Sequence, residues 1–199
     1  LVIPIGIMCA SYLCFTYAAF ILEPRIGAGL PMILIMFGYG LISLLGNAVS
    51  GRSIDRISPV RVLAVIIASL IAVAAIGTVG LALSGIAGAV IAIFWFFGCA
   101  FFNGGMGVPL QARLAAMSSD SLTILLALNA SAITLGSAFG GMLGGAMLAT
   151  GFPPEALVPS AGAVLVVTGA VLFQTTRART QRTQNAPEVA GRELRPDEV

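Results

Sequence analysis

The chain has no histidine and no lysine, only three cysteines and a single tryptophan, and 9% of its 199 residues are charged. Without histidine there is no HExxH zinc centre, no dyad of the kind an intramembrane protease needs, and no imidazole general base or metal ligand. The chain therefore does not read as an enzyme, and no metal or cofactor is expected. Cys9, Cys14 and Cys99 form no CxxC pair and fall inside apolar runs, where they read as small buried hydrophobes. The ten basic residues, all arginine, lie mostly in short loops or the tail and form no stripe for nucleic acid; a net charge of +2 adds no pull of its own. The Asn-Pro-Ala signature of a water channel is missing too.

What is abundant is apolar sequence. Hydrophobic residues make up 58% and the mean hydropathy is +1.04, whereas an ordinary soluble domain is roughly 25% charged. The fold class expected is all-α: a polytopic membrane protein with six transmembrane helices. An apolar stretch of about 20 residues crosses roughly 30 Å of hydrocarbon, and spans are expected at about 1–22, 30–50, 62–83, 87–109, 121–150 and 156–175. The uncharged run from Val62 to Ala112 is too long for one crossing and must fold back, most simply at Ser84-Gly85-Ile86-Ala87-Gly88. Ser118-Ser119-Asp120 reads as a cap for the fifth helix. Residues 177–199 are polar and mixed in charge, and read as a disordered cytoplasmic tail. Leu1 carries neither an initiator Met nor a basic flank, so a longer parent chain is expected.

The densest charge cluster before the tail is the hinge Gly46-Asn-Ala-Val-Ser-Gly51-Arg52-Ser-Ile-Asp55-Arg56, between the second and third spans. With six spans, both ends lie on one side. If the hinge is cytoplasmic, nine of ten arginines are inside and Arg25 alone is outside. That positive-inside bias sets the expected orientation, with both ends of the segment in the cytoplasm.

No charge lies within any expected span, so an intramembrane proton relay or ion pair is not visible in this chain. Glycine is the more informative residue. Gly136, Gly140 and Gly144 recur at four-residue spacing, leaving one face of the fifth span nearly bare backbone; this serves a tight helix contact or a sliding surface. The fourth span ends in Trp95-Phe-Phe-Gly98-Cys-Ala-Phe-Phe-Asn103-Gly-Gly-Met-Gly107-Val-Pro109, which suits either a deformable cavity lining or a lipid-facing aromatic belt. The larger uncharged polar residues in or near the spans are Tyr12, Tyr17, Tyr39, Asn47, Asn103, Gln111 and Asn129. Amides are costly against lipid, so some of these must face protein.

The hinge pattern Gly-x4-Gly-Arg-x2-Asp-Arg, at Gly46, Gly51, Arg52, Asp55 and Arg56, resembles the cytoplasmic loop motif of the major facilitator superfamily, in its second copy. Three other stretches are similar to the drug:proton antiporter branch in the same order: Phe15-Thr16-Tyr17 followed by Glu23, Val108 to Arg113, and Leu128 to Ala132 leading into Leu135-Gly136. The resemblance covers about residues 1–176. It implies the C-terminal six-helix half of a twelve-helix transporter, built as a 3+3 inverted repeat, together with a missing N-terminal six-helix half as partner. It further implies proton-coupled efflux of a small amphipathic substrate from the plasma (inner) membrane. In that family the first, fourth and fifth helices of this half face the cavity, which makes Tyr12, Tyr17, Asn103 and Asn129 the candidates for substrate contact. Arg52 and Arg56 would hold the loop in the cytoplasm, Gly46 and Gly51 would allow close helix approach, and Asp55 would pair with them or cap a helix of the partner half. The rival expectation, from another class, is a non-transporting six-helix membrane protein that acts as an assembly partner.

Overall fold

The structure is a computed structural model that describes residues 2–116 and 122–193, with side chains as far as Thr175. Among the described residues, six helical stretches are long and apolar enough to cross a membrane: Val2–Ile26, Leu30–Ile54, Pro59–Ala82, Gly85–Ala115, Leu122–Ala149 and Pro154–Thr175. The protein is thus an all-helical, multi-pass membrane protein, with no strand among the described residues.

Two of the six spans are broken. Span one is α1 (Val2–Phe15) and α2 (Ala18–Ile26), interrupted at Thr16–Tyr17; span four is α5 (Gly85–Gly104) and α6 (Gly107–Ala115), interrupted at Gly105–Met106. The others are α3 (Leu30–Ile54), α4 (Pro59–Ala82), α7 (Leu122–Ala149) and α8, which begins at Leu157 after one 3-10 turn.

The ends differ from expectation for identifiable reasons. Pro24 does not stop span one, since it costs a single backbone bond close to the helix end. The chain leaves the helix at Gly27, where φ is 90°, a conformation open to glycine. The fold-back inside the long apolar run falls where expected, with α4 ending at Ala82 and Gly85 at φ 76° opening α5. Much of the hinge is helical: α3 continues through Arg52 to Ile54, and only residues 55–58 form the turn. Asp55, Arg56 and Ile57 fold their N–H groups back onto the Ser53 carbonyl, and Ser58, extended ahead of Pro59, starts α4. Beyond span six, α8 continues to Glu193. Ala, Arg and Gln propagate a helix readily once a membrane span has nucleated it. The expected cap at Ser118-Ser119-Asp120 lies outside the described residues.

Span one packs against spans five and six, span four packs against spans two and three, and spans three and six close the ring between them. The core lies where spans one, three, four and six meet, around Ile7, Leu13, Leu63, Trp95 and Leu157. Trp95 is buried because Gly77 leaves room for its indole. Span two buries the smallest share of its surface, and span five the next smallest.

At the end of the bundle away from the hinge, Arg25 joins three spans. Its Nη2 donates to the Leu81 carbonyl at the end of span three (2.6 Å), while Nη1 reaches Ile21 of its own helix (3.2 Å) and Glu155 at the head of span six (3.3 Å). A cation at the C-terminal carbonyls of a helix also meets the negative end of its dipole.

Candidate functional site

Three polar side chains, Ser11, Tyr39 and Asn103, meet at a small cavity between spans one, two and four. Ser11, Cys14 and Phe15 reach it from α1, Tyr39 from α3, and Trp95, Phe96, Cys99 and Asn103 from α5; Val158, Ala161 and Leu165 of span six close the back. Ser11 Oγ lies 2.7 Å from Asn103 Oδ1 and 2.7 Å from the Ile7 carbonyl, and its one proton serves one acceptor at a time. The Tyr39 ring lines the same cavity as Asn103.

A run of aromatic rings passes through the same site. Tyr12 meets Phe15 edge-on (5.9 Å), Phe15 meets Tyr39 (5.0 Å), Tyr39 meets Phe96 (4.7 Å) and Phe96 meets Trp95 (6.2 Å). These separations are in the favourable range for offset and tilted rings. The chain of rings links spans one, two and four and leads from a buried indole to a half-exposed phenol.

The enclosed space is about 30 Å³, room for a water, whereas a drug-sized ligand needs roughly 300–1,000 Å³. Any substrate of that size has to enter by parting these spans or by completing the site with another surface.

The four residues expected to touch substrate divide between two places. Asn103 lines the cavity, and Tyr12 stands at its rim through Phe15. Tyr17 lies on the seam between spans one and five, and Asn129 is buried further along α7. The Tyr17 hydroxyl donates to the Gly141 carbonyl (2.8 Å), and its ring covers Gly144 and Gly145. Asn129 is buried at the head of the row Asn129, Ala132, Gly136, Gly140, Gly144, whose glycines meet α1. A Cβ at Gly136, Gly140 or Gly144 would run into Ile5, Cys9 or Tyr17, so the glycine row is a tight helix contact in this conformation.

Of the hinge glycines, Gly46 is buried against the Phe101 backbone, as close approach requires, whereas Gly51 faces open space and has no such role within this bundle. Arg52, Asp55 and Arg56 are exposed, and Asp55 makes no ion pair among the described residues. Nor do the three cysteines, all free thiols, join any group of residues able to hold a metal among the described residues.

Sequence reasoning missed Ser11 and passed over Tyr39, although Tyr39 is conspicuous as a phenol in an apolar run. Ser11 carries no such signal, because serines are common in spans and satisfy themselves on their own helix. No protein-family model matches the chain, and no curated protein or solved structure matches it either.

Proposed function

We propose that this chain is the C-terminal half of a secondary transporter of the major facilitator type, built as a 3+3 inverted repeat, which moves a small amphipathic molecule out across the plasma (inner) membrane in exchange for protons. The observation that carries the reading is the bond between Ser11 and Asn103, which joins spans one and four just ahead of the break in each. Discontinuous helices at corresponding places in two repeats are the usual location of a transporter's binding site. The pairing of spans supports the same reading. Exchanging spans one, two and three for four, five and six turns the one–five contact into two–four and the one–six contact into three–four, and leaves three–six unchanged. The second segments of the broken spans, Ala18–Ile26 and Gly107–Ala115, are also equal in length.

Exposure adds a further argument. Between Val62 and Ala82 and between Leu157 and Phe173, every exposed residue of spans three and six is apolar, as lipid demands. Spans one, two and five instead expose Tyr12, Thr16, Asn47, Ser131 and Thr134, which fit a polar passage or a partner half better than lipid. The hinge arginines support a cytoplasmic position for that end of the bundle, by the positive-inside rule. The coupling carboxylate would come from the partner half.

The test is efflux of a panel of fluorescent amphipathic substrates from cells carrying the full-length gene, with and without an uncoupler. Efflux that stops when the gradient is dissipated supports proton coupling, and efflux indifferent to it removes the proton from the proposal. If no substrate is moved at all while the protein is correctly inserted and recovered in complex with another membrane protein, the assembly-partner reading replaces this one.

A further inference from the structure

Serine and threonine hydroxyls in these spans satisfy themselves locally: Thr78, Ser131, Thr134, Ser137, Ser160 and Thr168 each bond to the carbonyl one turn back on their own helix. Ser11 has that option and one more. Its Oγ lies 2.7 Å from the Ile7 carbonyl and equally 2.7 Å from Asn103 Oδ1, and among the described residues it alone of these hydroxyls has an acceptor on another span. The bond across the spans can therefore be given up without orphaning the donor, because the single proton turns to Ile7, whose carbonyl has a second lone pair. What opening leaves unmatched is the Asn103 oxygen. A polar group left so inside the bundle is costly, and a new donor relieves it.

The bond sits where the helices part most cheaply. α1 ends at Phe15, one turn beyond Ser11, and α5 ends at Gly104, directly after Asn103, so each span continues past the site as a separate short helix. The rings of Phe15, Tyr39 and Phe96 wall the cavity, the Cys14 and Cys99 thiols border it, and no charged side chain lines it. Cys99 is one helical turn before Asn103 on the same face of α5. A molecule suited to these walls is aromatic and uncharged, and it offers an N–H or O–H to the Asn103 oxygen.

We infer that Ser11 is a latch on this site: its hydroxyl holds on Asn103 Oδ1 the place of a ligand's donor group, and the class of ligand that displaces it is a neutral aromatic molecule carrying one N–H or O–H. In the exchange the ligand donates to Asn103, the Ser11 proton turns to the Ile7 carbonyl, and spans one and four separate to admit the ring. Ser11 is thus a positioning residue. The inference rests on reading the cavity as the transport site, but the latch is measured without transport.

The experiment uses the full-length protein in lipid nanodiscs, with alkylation by N-ethylmaleimide followed at each cysteine by mass spectrometry. Cys14 and Cys99 report on the cavity, and Cys9, in a separate groove between spans one, five and six, is the internal control. Ser11→Ala should speed alkylation of Cys99 about fivefold, the effect of one net hydrogen bond on an equilibrium. Ser11→Thr, which keeps the hydroxyl, should stay within about twofold of wild type, and Cys9 should not change in either variant. Indole has one N–H donor, and 1-methylindole has none; each is added at a level matched for its partition into empty nanodiscs. In Ser11→Ala, indole should slow Cys99 alkylation at least threefold and 1-methylindole should leave it unchanged. An unaltered Cys99 rate in Ser11→Ala overturns the proposal, as does an equal rise at Cys9, which would mean general loosening. So does absence of protection by indole, or equal protection by both compounds. Because Ser11→Ala loses only one oxygen, its result stands even if Ser11→Thr fails to fold. Expected alkylation rates in a protein that moves no substrate would sink the transport reading and leave the latch standing.

Discussion

Two glycine-rich seams hold the bundle together, and they are built differently. Where spans one and five meet, the glycines are all on one helix: Gly136, Gly140 and Gly144 receive the backbone of span one, and Tyr17 fastens the upper end through its bond to Gly141. Where spans two and four meet, both helices contribute, with Gly46 set against Phe101 and Gly104 against Ser43. The first seam is a continuous row on an unbroken helix. The second lies beside the break in span four and leaves the Ser50 hydroxyl unmatched. The contrast separates a seam whose close approach comes from the glycines of one helix from one to which both helices contribute, and both are tight.

The largest effect that could break this comparison comes from filling the seams. Gly140→Val and Gly46→Val each drive a side chain into backbone, which cannot rotate away, and each should cost about 3 kcal/mol or more. The check is loss of the monodisperse peak on size exclusion in detergent. Gly51→Val, which enters open space, should stay within about 0.5 kcal/mol of wild type. If Gly46→Val behaves like Gly51→Val, the second seam is not a tight contact.

Next in size is the outer cluster. Arg25→Ala loses a charge-assisted bond to Leu81 as well as the ion pair, and about 2 kcal/mol should be seen as a lowered thermal midpoint. Glu155→Gln should cost less than about 1 kcal/mol, because that side chain is 39% exposed and Arg25 keeps its carbonyl partners. Equal costs would mean that the ion pair, not the carbonyl bond, does the holding.

A finer comparison sets Tyr17→Phe against Asn103→Ala. Each removes hydrogen bonding worth about 1 kcal/mol, so their thermal midpoints should fall by similar amounts. Only Asn103→Ala should also lower transport, by about tenfold or more, because Asn103 lines the central cavity while Tyr17 fastens a seam. A matching transport loss in Tyr17→Phe would move the seam into the transport pathway. The smallest expected change in stability is that of Asp55→Asn, near zero, since Asp55 is exposed and makes no ion pair among the described residues. Its predicted effect is a slower transport rate with normal membrane insertion, and an unchanged rate would leave the hinge acidic group without a part in the cycle.

Much of the fold was legible because bilayer thickness imposes a length on apolar runs, and the six stretches stand out on that ground alone. The glycine row of span five was legible as well, since four-residue spacing can only mean one helix face. The breaks at Thr16–Tyr17 and Gly105–Met106 were not, because neither interrupts the apolar run and neither requires a proline. The same limit explains the candidate site. Tyr12, Tyr17, Asn103 and Asn129 are all polar residues in apolar spans, and composition cannot distinguish a side chain that lines a cavity from one that fastens a seam. That distinction depends on rotation about the helix axis. Ser11 was harder still, because its distinction lies in a second acceptor on another span.

The bond between Arg25 and Glu155 has an electrical consequence. That end of the bundle carries Glu23, Arg25 and Glu155, a net charge of −1, while the hinge end carries Arg52, Arg56, Arg61 and Arg113 against Asp55, a net charge of +3 among the described side chains. With the hinge on the negative side of the membrane, turning the bundle over would move this four-charge difference against the transmembrane voltage, at about 2.3 kcal/mol per charge per 100 mV, or roughly 9 kcal/mol in all. Arg25 does not oppose that bias, because its charge is balanced at its own end. In that orientation the membrane potential works in the same direction as the loop arginines, and the pair acts as an internal counter-ion that keeps the bundle electrically one-sided.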